Sequence, residues 1–216
     1  GARVAIQGLG NVGANSMRLF HEAGARIVCV SDSQGGVADD AGLDPRQVLA
    51  HKAEHGSVVG LPETKTITNE DLLASDCDIL IPAALECQIR ADNANAVRAR
   101  LVIEAANAPV TPEGDDILQK RGVIVLPDIV ANAGGVVVSY FEWVQNLENQ
   151  QWQLDEIERK LKSRMETAVD AIVARWQLIR NESNRDDGLT PTLRDAALVE
   201  AIRRLSEVIL QRDIWM

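Results

Sequence analysis

Cysteine is scarce in this chain: Cys29, Cys77 and Cys87 are the only three in 216 residues, and no two form a Cys-x-x-Cys pair. That set excludes a disulfide framework and a cysteine-rich zinc site. The three read as reduced, buried thiols in strands and nearby loops, a usage that fits a cytoplasmic protein. Positive charge is short as well. Lys and Arg number 22 against 32 Asp and Glu, leaving a net charge of -10, which argues against a nucleic-acid or anionic-membrane surface as partner. No apolar stretch is long enough to span a bilayer, and the opening residues do not read as a signal peptide. Internal repeats, low-complexity linkers and metal-ligand spacings are all missing, and His21, His51 and His55 read as surface or helix residues.

What remains is enough for one substantial core, or one domain with a helical extension. Gly1-Ala2-Arg3 leads straight into a strand without an initiator methionine, so the sequence reads as a piece cut from a longer polypeptide at a domain boundary.

The most informative segment follows at once. The apolar run Val4-Ala5-Ile6 enters Gly8-Leu9-Gly10-Asn11-Val12-Gly13, and an amphipathic helix through Met17, Leu19 and Phe20 follows, stopping at Ala23-Gly24. A strand that turns through glycines into a helix presents unpaired backbone N–H groups where a pyrophosphate can sit. Gly8 permits the tight turn, Gly10 lets the backbone approach phosphates, and Gly13 lets the helix close on the strand. The next strand, Ile27-Val28-Cys29-Val30, delivers Asp32, whose carboxylate can accept both ribose hydroxyls of an adenosine. Strand, glycine turn, helix and acidic residue in this order point to dinucleotide binding. Between Ser31 and Pro45 there is no Lys or Arg, while Asp32, Asp39, Asp40 and Asp44 are acidic. A 2′-phosphate would meet repulsion there, which favours NAD over NADP without excluding NADP.

Further along, Ser33 to Asp40 reads as a hairpin-like excursion and Asp44-Pro45 as the start of a helix to about His55. Thr68 caps a short helix, Ile79 to Pro82 is a strand, and Ala91 to Ala99 is helical. Leu101 to Glu104 is a strand, Thr111-Pro112 opens a helix closed by Gly122, and Val123 to Pro127 is a strand. Short apolar strands alternating with helices predict an α/β fold: a doubly wound, mostly parallel, Rossmann-type sheet. From Trp152 a stripe of Leu154, Ile157, Leu161, Met165, Val169, Ile172, Trp176 and Ile179 marks one long helix, with Asp155–Arg159, Glu156–Lys160 and Glu158–Lys162 spaced as ion pairs. Asn181 to Gly188 is a polar break. Thr190-Pro191-Thr192 starts a final helix striped by Leu198, Ile202, Leu205 and Ile209. The predicted division is a dinucleotide domain over 1–150 and a C-terminal helical extension, packing on it, over 151–216.

The run Pro127-Asp128-Ile129-Val130-Ala131-Asn132-Ala133-Gly134-Gly135-Val136, followed by Ser139-Tyr140-Phe141-Glu142-Trp143, resembles the cofactor-binding domain of the hexameric glutamate dehydrogenases, within the glutamate/leucine/phenylalanine/valine dehydrogenase superfamily. The segments Val4 to Gly13, Val30-Ser31-Asp32-Ser33, Ile81-Pro82-Ala83-Ala84-Leu85-Glu86, Glu104-Ala105-Ala106-Asn107 and Thr192 to Ala197 match in the same order, so the resemblance covers nearly the whole chain.

The resemblance implies cofactor contacts at Gly8, Gly10, Asn11, Val12, Gly13, Asp32, Ser33, Ala83, Ala84, Asn107 and Asn132. Asn107 and Asn132 would lie toward the nicotinamide, Asp32 and Ser33 toward the adenosine ribose. Ser139 would hydrogen-bond the side-chain carboxylate of the amino acid, with Val136 lining the same pocket. Asn11 alternatively stabilises its own turn, Asn107 alternatively serves the turn before Pro109, and Ser139 alternatively sits at a helix start. The implied reaction is reversible oxidative deamination of L-glutamate to 2-oxoglutarate and ammonia. In the family its acid–base lysine and aspartate lie in an N-terminal substrate domain, so no catalytic residue is expected in this chain. None of Lys52, Lys65, Lys120, Lys160 or Lys162 lies in a matching motif. The parent is expected to be a homohexamer. A dehydrogenase of apolar amino acids and a non-catalytic NAD-binding module are the competing expectations.

Overall fold

The computed structural model describes residues 1–183 and 191–211. In chain order the elements are β1 (Arg3–Gln7), α1 (Asn11–Glu22), β2 (Arg26–Ser31), β3 (Gly36–Ala38), α2 (Pro45–His55), β4 (Lys65–Ile67), α3 (Asn69–Leu73) and β5 (Ile79–Pro82). A 3-10 turn (Ala94–Ala96) precedes β6 (Leu101–Ile103), α4 (Pro112–Lys120), β7 (Ile124–Leu126), α5 (Asp128–Ala131), α6 (Ala133–Glu148), α7 (Leu154–Ser183) and α8 (Leu193–Gln211). The chain divides into two compact units, Gly1–Asp128 and Ile129–Met216. This break comes earlier than a division at residue 150, because α6 packs with α7 in the second unit.

The first unit carries one seven-stranded sheet in the order β4-β3-β2-β1-β5-β6-β7. Strands β2, β1, β5, β6 and β7 are parallel, while β3 and β4 run antiparallel at one edge. The hairpin-like excursion after Asp32 is therefore β3 folding back on β2. Alternation along β1 sends Val4 and Ile6 to one face, packed with Met17 of α1 and Val48 of α2. It sends Ala5 to the other, with Leu72 of α3 and Leu118 of α4. Helices on both faces of a mostly parallel sheet make the architecture doubly wound. In register, Gln7 of β1 lies level with Ser31 of β2 and Pro82 of β5, which aligns the carboxyl ends of the central strands.

Side-chain caps set several helix starts. Asp44 accepts from Arg46 N ahead of α2, Thr68 and Asp71 form a capping box on α3, and Thr111 accepts from Gly114 N on α4. The predicted helix over 91–99 is instead the single 3-10 turn. Asn93 diverts the local backbone: its side chain accepts from Arg90 N and donates to Gln88 O, local bonds that compete with a helical ladder. The expected strand at 101–104 ends at Ile103. Cys87 is exposed rather than buried, while Cys29 and Cys77 are buried. Burial pushes the Cys77 thiol up to about 11.

In the second unit α7 covers the predicted long helix and extends through Asn181 to Ser183; the rest of the predicted polar break, and Thr190, lie outside the described residues. Glu156–Lys160 forms as expected, but Lys162 turns to Glu166. The apolar stripe of α8 is not its buried face. Leu198, Ile202 and Leu205 are exposed, whereas Leu193, Ala196, Ala197 and Glu200 are buried. Glu200 is the polar tie between helices: it accepts from Arg175 of α7 at 3.2 Å and from Arg203 and Arg204 at 2.7 and 2.9 Å.

Those hydrogen bonds, Arg203's foremost, hold the Glu200 carboxyl at about 2, below its ordinary 4.5. A carboxylate depressed in the folded state stabilises it above the unfolded pKa, and this contribution is lost as pH falls from about 5 toward 2. Urea unfolding across that range should show Glu200→Gln less stable at neutral pH by about 1–3 kcal/mol and less acid-sensitive than the parent chain. Parallel pH profiles would remove Glu200 from this role.

Candidate dinucleotide site

At the end of β1 the chain turns through Gly8, whose φ is +90, a region that L side chains rarely adopt. A Cβ there would also lie 2.6 Å from the Cβ of Ala84, just beyond β5. A Cβ on Gly13 would run into the Gly8 carbonyl oxygen, so the first turn of α1 lies directly on the strand end. Gly10 differs: nothing lies within 4 Å of a Cβ built there. It is the N-cap residue of α1 and supplies no side-chain cap, with Gly10, Asn11 and Val12 all exposed. The helix start is open and uncapped, which suits an anion. The Asn11 side chain has no hydrogen-bond partner among the described residues, and its backbone oxygen accepts from Asn15; it does not brace its own turn.

A cation stands beside this turn. From α2, Lys52 Nζ donates to the Leu9 carbonyl oxygen at 2.5 Å. Sequence reasoning set Lys52 aside because it matched no motif, and no local signal marks a side chain that reaches across 43 positions.

At the end of β2, Asp32 is buried. Its Oδ1 accepts from Gln34 N at 2.9 Å and Ser57 Oγ at 3.1 Å, and its Oδ2 from Val58 N at 2.7 Å. Asn69 of α3 accepts from Ser31 Oγ and donates to the Asp32 carbonyl. The carboxylate therefore ties its own turn to the 57–58 loop, a use not visible in the β-strand spacing. Ser33, next to it, is exposed. Across the sheet, Ala83 N donates to Gln7 O and Ala84 backs Gly8. Ala105 and Ala106 donate to Pro82 O ahead of the exposed Asn107. The glycine turn, Asp32, Ser33, Ala83, Ala84 and Asn107 thus share the carboxyl edge of one sheet. The chain order turns outward there, from β1 to β2 on one side and to β5 on the other, where ligands bind in open α/β sheets.

The remaining predicted residues belong to the second unit. Asn132 precedes α6, and Val136 and Ser139 stand one turn apart on it, both exposed. Because α6 begins at Ala133, Ser139 lies well inside the helix and is not a helix-start serine.

This edge and its uncapped glycine turn define a Rossmann-type nucleotide domain. The model of the Glutamate/Leucine/Phenylalanine/Valine dehydrogenase family matches residues 1–212, and the chain belongs to that family. It is 45% identical to a glutamate dehydrogenase of Thermotoga maritima over 99% of this chain. It is 46% identical to NADP-specific glutamate dehydrogenase A1 of Halobacterium salinarum over 99%, and 42% to an NAD-specific glutamate dehydrogenase of Staphylococcus aureus over 98%. In each case the chain spans 49% of the relative's length. Among solved structures, the leucine-bound hetero-hexameric glutamate dehydrogenase of Thermus thermophilus matches at TM-score 0.85 and 34% identity, over 98% of this chain and 48% of that one. The L-tryptophan dehydrogenase of Nostoc punctiforme matches at 0.67 and 26%, over 96% and 53%.

Gly10→Asp tests the turn cleanly. The new Cβ meets nothing, and Asp is a favoured N-cap, so stability should hold or rise by a few tenths of a kcal/mol. Its carboxylate would occupy the anion position, and calorimetric affinity for NAD(H) should fall by about tenfold or more. Unchanged affinity would place the cofactor elsewhere.

Proposed function

We propose that this chain is the dinucleotide-binding half of a glutamate dehydrogenase, which catalyses the reversible oxidative deamination of L-glutamate to 2-oxoglutarate and ammonia. The observation that carries this reading is the open, uncapped start of α1 at the switch point of the sheet. Relatives at 42–46% identity named as glutamate dehydrogenases support the substrate. A nicotinamide dinucleotide held at this edge would supply the acceptor for the hydride of the substrate's α-carbon. Gly10, Asn11, Val12 and Gly13 would hold the pyrophosphate through the α1 amides, with Lys52 adding charge. Ser33 and the unused acceptor capacity of Asp32 would face the adenosine ribose. Ala83, Ala84 and Asn107 would line the path to the nicotinamide, and the family resemblance assigns Asn132 to that end of the cofactor as well.

Relatives with NAD and with NADP specificity are both present, so the family does not choose between them. Asp32 at the tip of β2 favours NAD; Asp39, Asp40 and Asp44, expected from the sequence to add to it, are carried by β3 to the opposite edge of the sheet, where Arg3 pairs with Asp40. Lys52 does not overturn this, because it sits on the glycine turn rather than at the ribose end. Lys52→Met should weaken NADH and NADPH binding alike, by about tenfold. A loss confined to NADPH would mean that Lys52 reaches the 2′-phosphate.

Ser139 is proposed to hydrogen-bond the glutamate side-chain carboxylate, with Val136 beside it. Proton transfers are assigned to groups in the portion of the relatives that this chain does not span. The 216-residue chain should therefore bind NAD(H) yet turn over no glutamate; measurable NADH formation would place the acid–base groups here. In the full-length enzyme Ser139→Ala should raise KM for glutamate about tenfold or more. Indifference to that change would favour a substrate with an apolar side chain. The hexamer of the Thermus thermophilus neighbour supports a six-subunit parent, and reduced cysteine usage supports a cytoplasmic one.

A further inference from the structure

Ser57 belongs to no motif, yet it is 5% exposed and its hydroxyl is used twice. Gly56 ends α2 at φ +76 with its N–H on the Lys52 carbonyl, and the chain turns at once toward the tip of β2. Ser57 Oγ accepts from Val59 N at 3.1 Å and donates to Asp32 Oδ1 at 3.1 Å. An amide N–H can only donate, so the hydroxyl's single proton goes to the carboxylate. The same helix sends Lys52 to the Leu9 carbonyl. The last turn of α2 and the loop after it therefore brace both the glycine turn and the acidic tip.

A carboxylate has about four lone-pair sites. Asp32 Oδ1 takes two donors, Gln34 N and Ser57 Oγ, and Oδ2 takes one, Val58 N. One acceptor position is left among the described residues, and it is on Oδ2. From the sequence Asp32 was expected to accept both ribose hydroxyls; the folded chain leaves room for one. The torsion that sets the plane of an aspartate carboxylate is broad and soft, so a second donor on Oδ1 decides where Oδ2 points. Of the three donors, Ser57 Oγ is the one that a side-chain substitution removes.

We propose that Ser57 is a positioning residue for cofactor choice. By holding Oδ1 it aims the remaining site of Oδ2 at a single hydroxyl, the adenosine 2′-hydroxyl, the group that separates NAD from NADP. This role rests on the dinucleotide site proposed for this edge of the sheet.

Calorimetry on the chain with NADH, NADPH and the 2′-deoxyadenosine analogue of NADH separates this role from a structural one. Ser57→Ala should lower NADH affinity about three- to tenfold. The other two affinities should change by less than about twofold, because neither ligand offers Asp32 a 2′-hydroxyl. Ser57→Thr keeps the hydroxyl and should keep NADH binding. Ser57→Cys, close to serine in size but a weak donor, should shift the NADH to NADPH ratio as alanine does, so the test does not hang on the folding of one variant. An equal loss for all three ligands would make Ser57 a structural residue and overturn the proposal, as would an unchanged NADH affinity. If the unmodified chain binds none of the three, the dinucleotide site itself is misplaced and this role falls with it, a result distinct from either.

Discussion

Everything at the carboxyl edge of the sheet depends on how closely three backbones meet at the end of β1. Gly8 turns at positive φ against Ala84, and Gly13 seats the first turn of α1 over the Gly8 carbonyl. Side chains at either position would push α1 away from the strand or β5 away from β1. The contact fixes where α1 begins and which way its first amides point. It also leaves Gly10 as a cap residue with no side chain, so the helix start stays available to an external anion. A closely packed turn and an unfinished helix terminus are thus one feature. The packing of Gly8 and Gly13 stabilises the crossover, and the same geometry leaves amides that only solvent or a ligand can satisfy.

The second strand ends in a different manner. Ser31, Asp32, Asn69, Ser57 and Val58 form a hydrogen-bonded network that joins β2, α3 and the loop after α2. Buried polar groups are costly unless satisfied, and a satisfied network fixes one conformation. Here it fixes the turn that carries Ser33. Asp32 consequently acts first on its own chain, through the three donors its carboxylate accepts from. A carboxylate offers about four lone-pair sites, so a further donor can still be accepted.

Much of the first unit was legible because its signals are local. Asp44-Pro45, Thr68 with Asp71, and Thr111-Pro112 each announce a helix start within four residues, and each is a cap in the structure. Alternation in β1 and the glycine spacing announced the turn. Signals failed where local preference and packing disagree. Ala133-Gly134-Gly135-Val136-Val137-Val138 combines poor helix formers, yet it opens α6, where Phe141 is buried. Ala91 to Ala99 is rich in good helix formers, but Asn93 spends its side chain on the neighbouring backbone. Strand β4 spans three partly exposed residues and pairs only with β3, too short for a period of two to register. On α8 the stripe of largest side chains is exposed and the buried face belongs to Ala196, Ala197 and Glu200. Small residues allow close helix contact, and a carboxylate met by three arginines is satisfied there.

Cofactor electrostatics show why a site cannot be read from one loop. The stretch from Ser31 to Pro45 holds no cation, which on its own makes the whole site look acidic. Folding adds Lys52, whose ammonium is fixed on Leu9 O with two of its three donors still available. A pair of charges 4 Å apart is worth roughly 1 kcal/mol in water and about 4 kcal/mol at an effective dielectric of 20, so distance decides which anion Lys52 can stabilise. Leu9 belongs to the glycine turn itself, so the charge stands at that turn. The tip of β2 keeps Asp32, whereas β3 returns Asp39 and Asp40 to the other end of that strand, where Arg3 pairs with Asp40 and Arg46 with Asp44. A 2′-phosphate at that tip would still have to approach the Asp32 carboxylate, while a 2′-hydroxyl could donate to it.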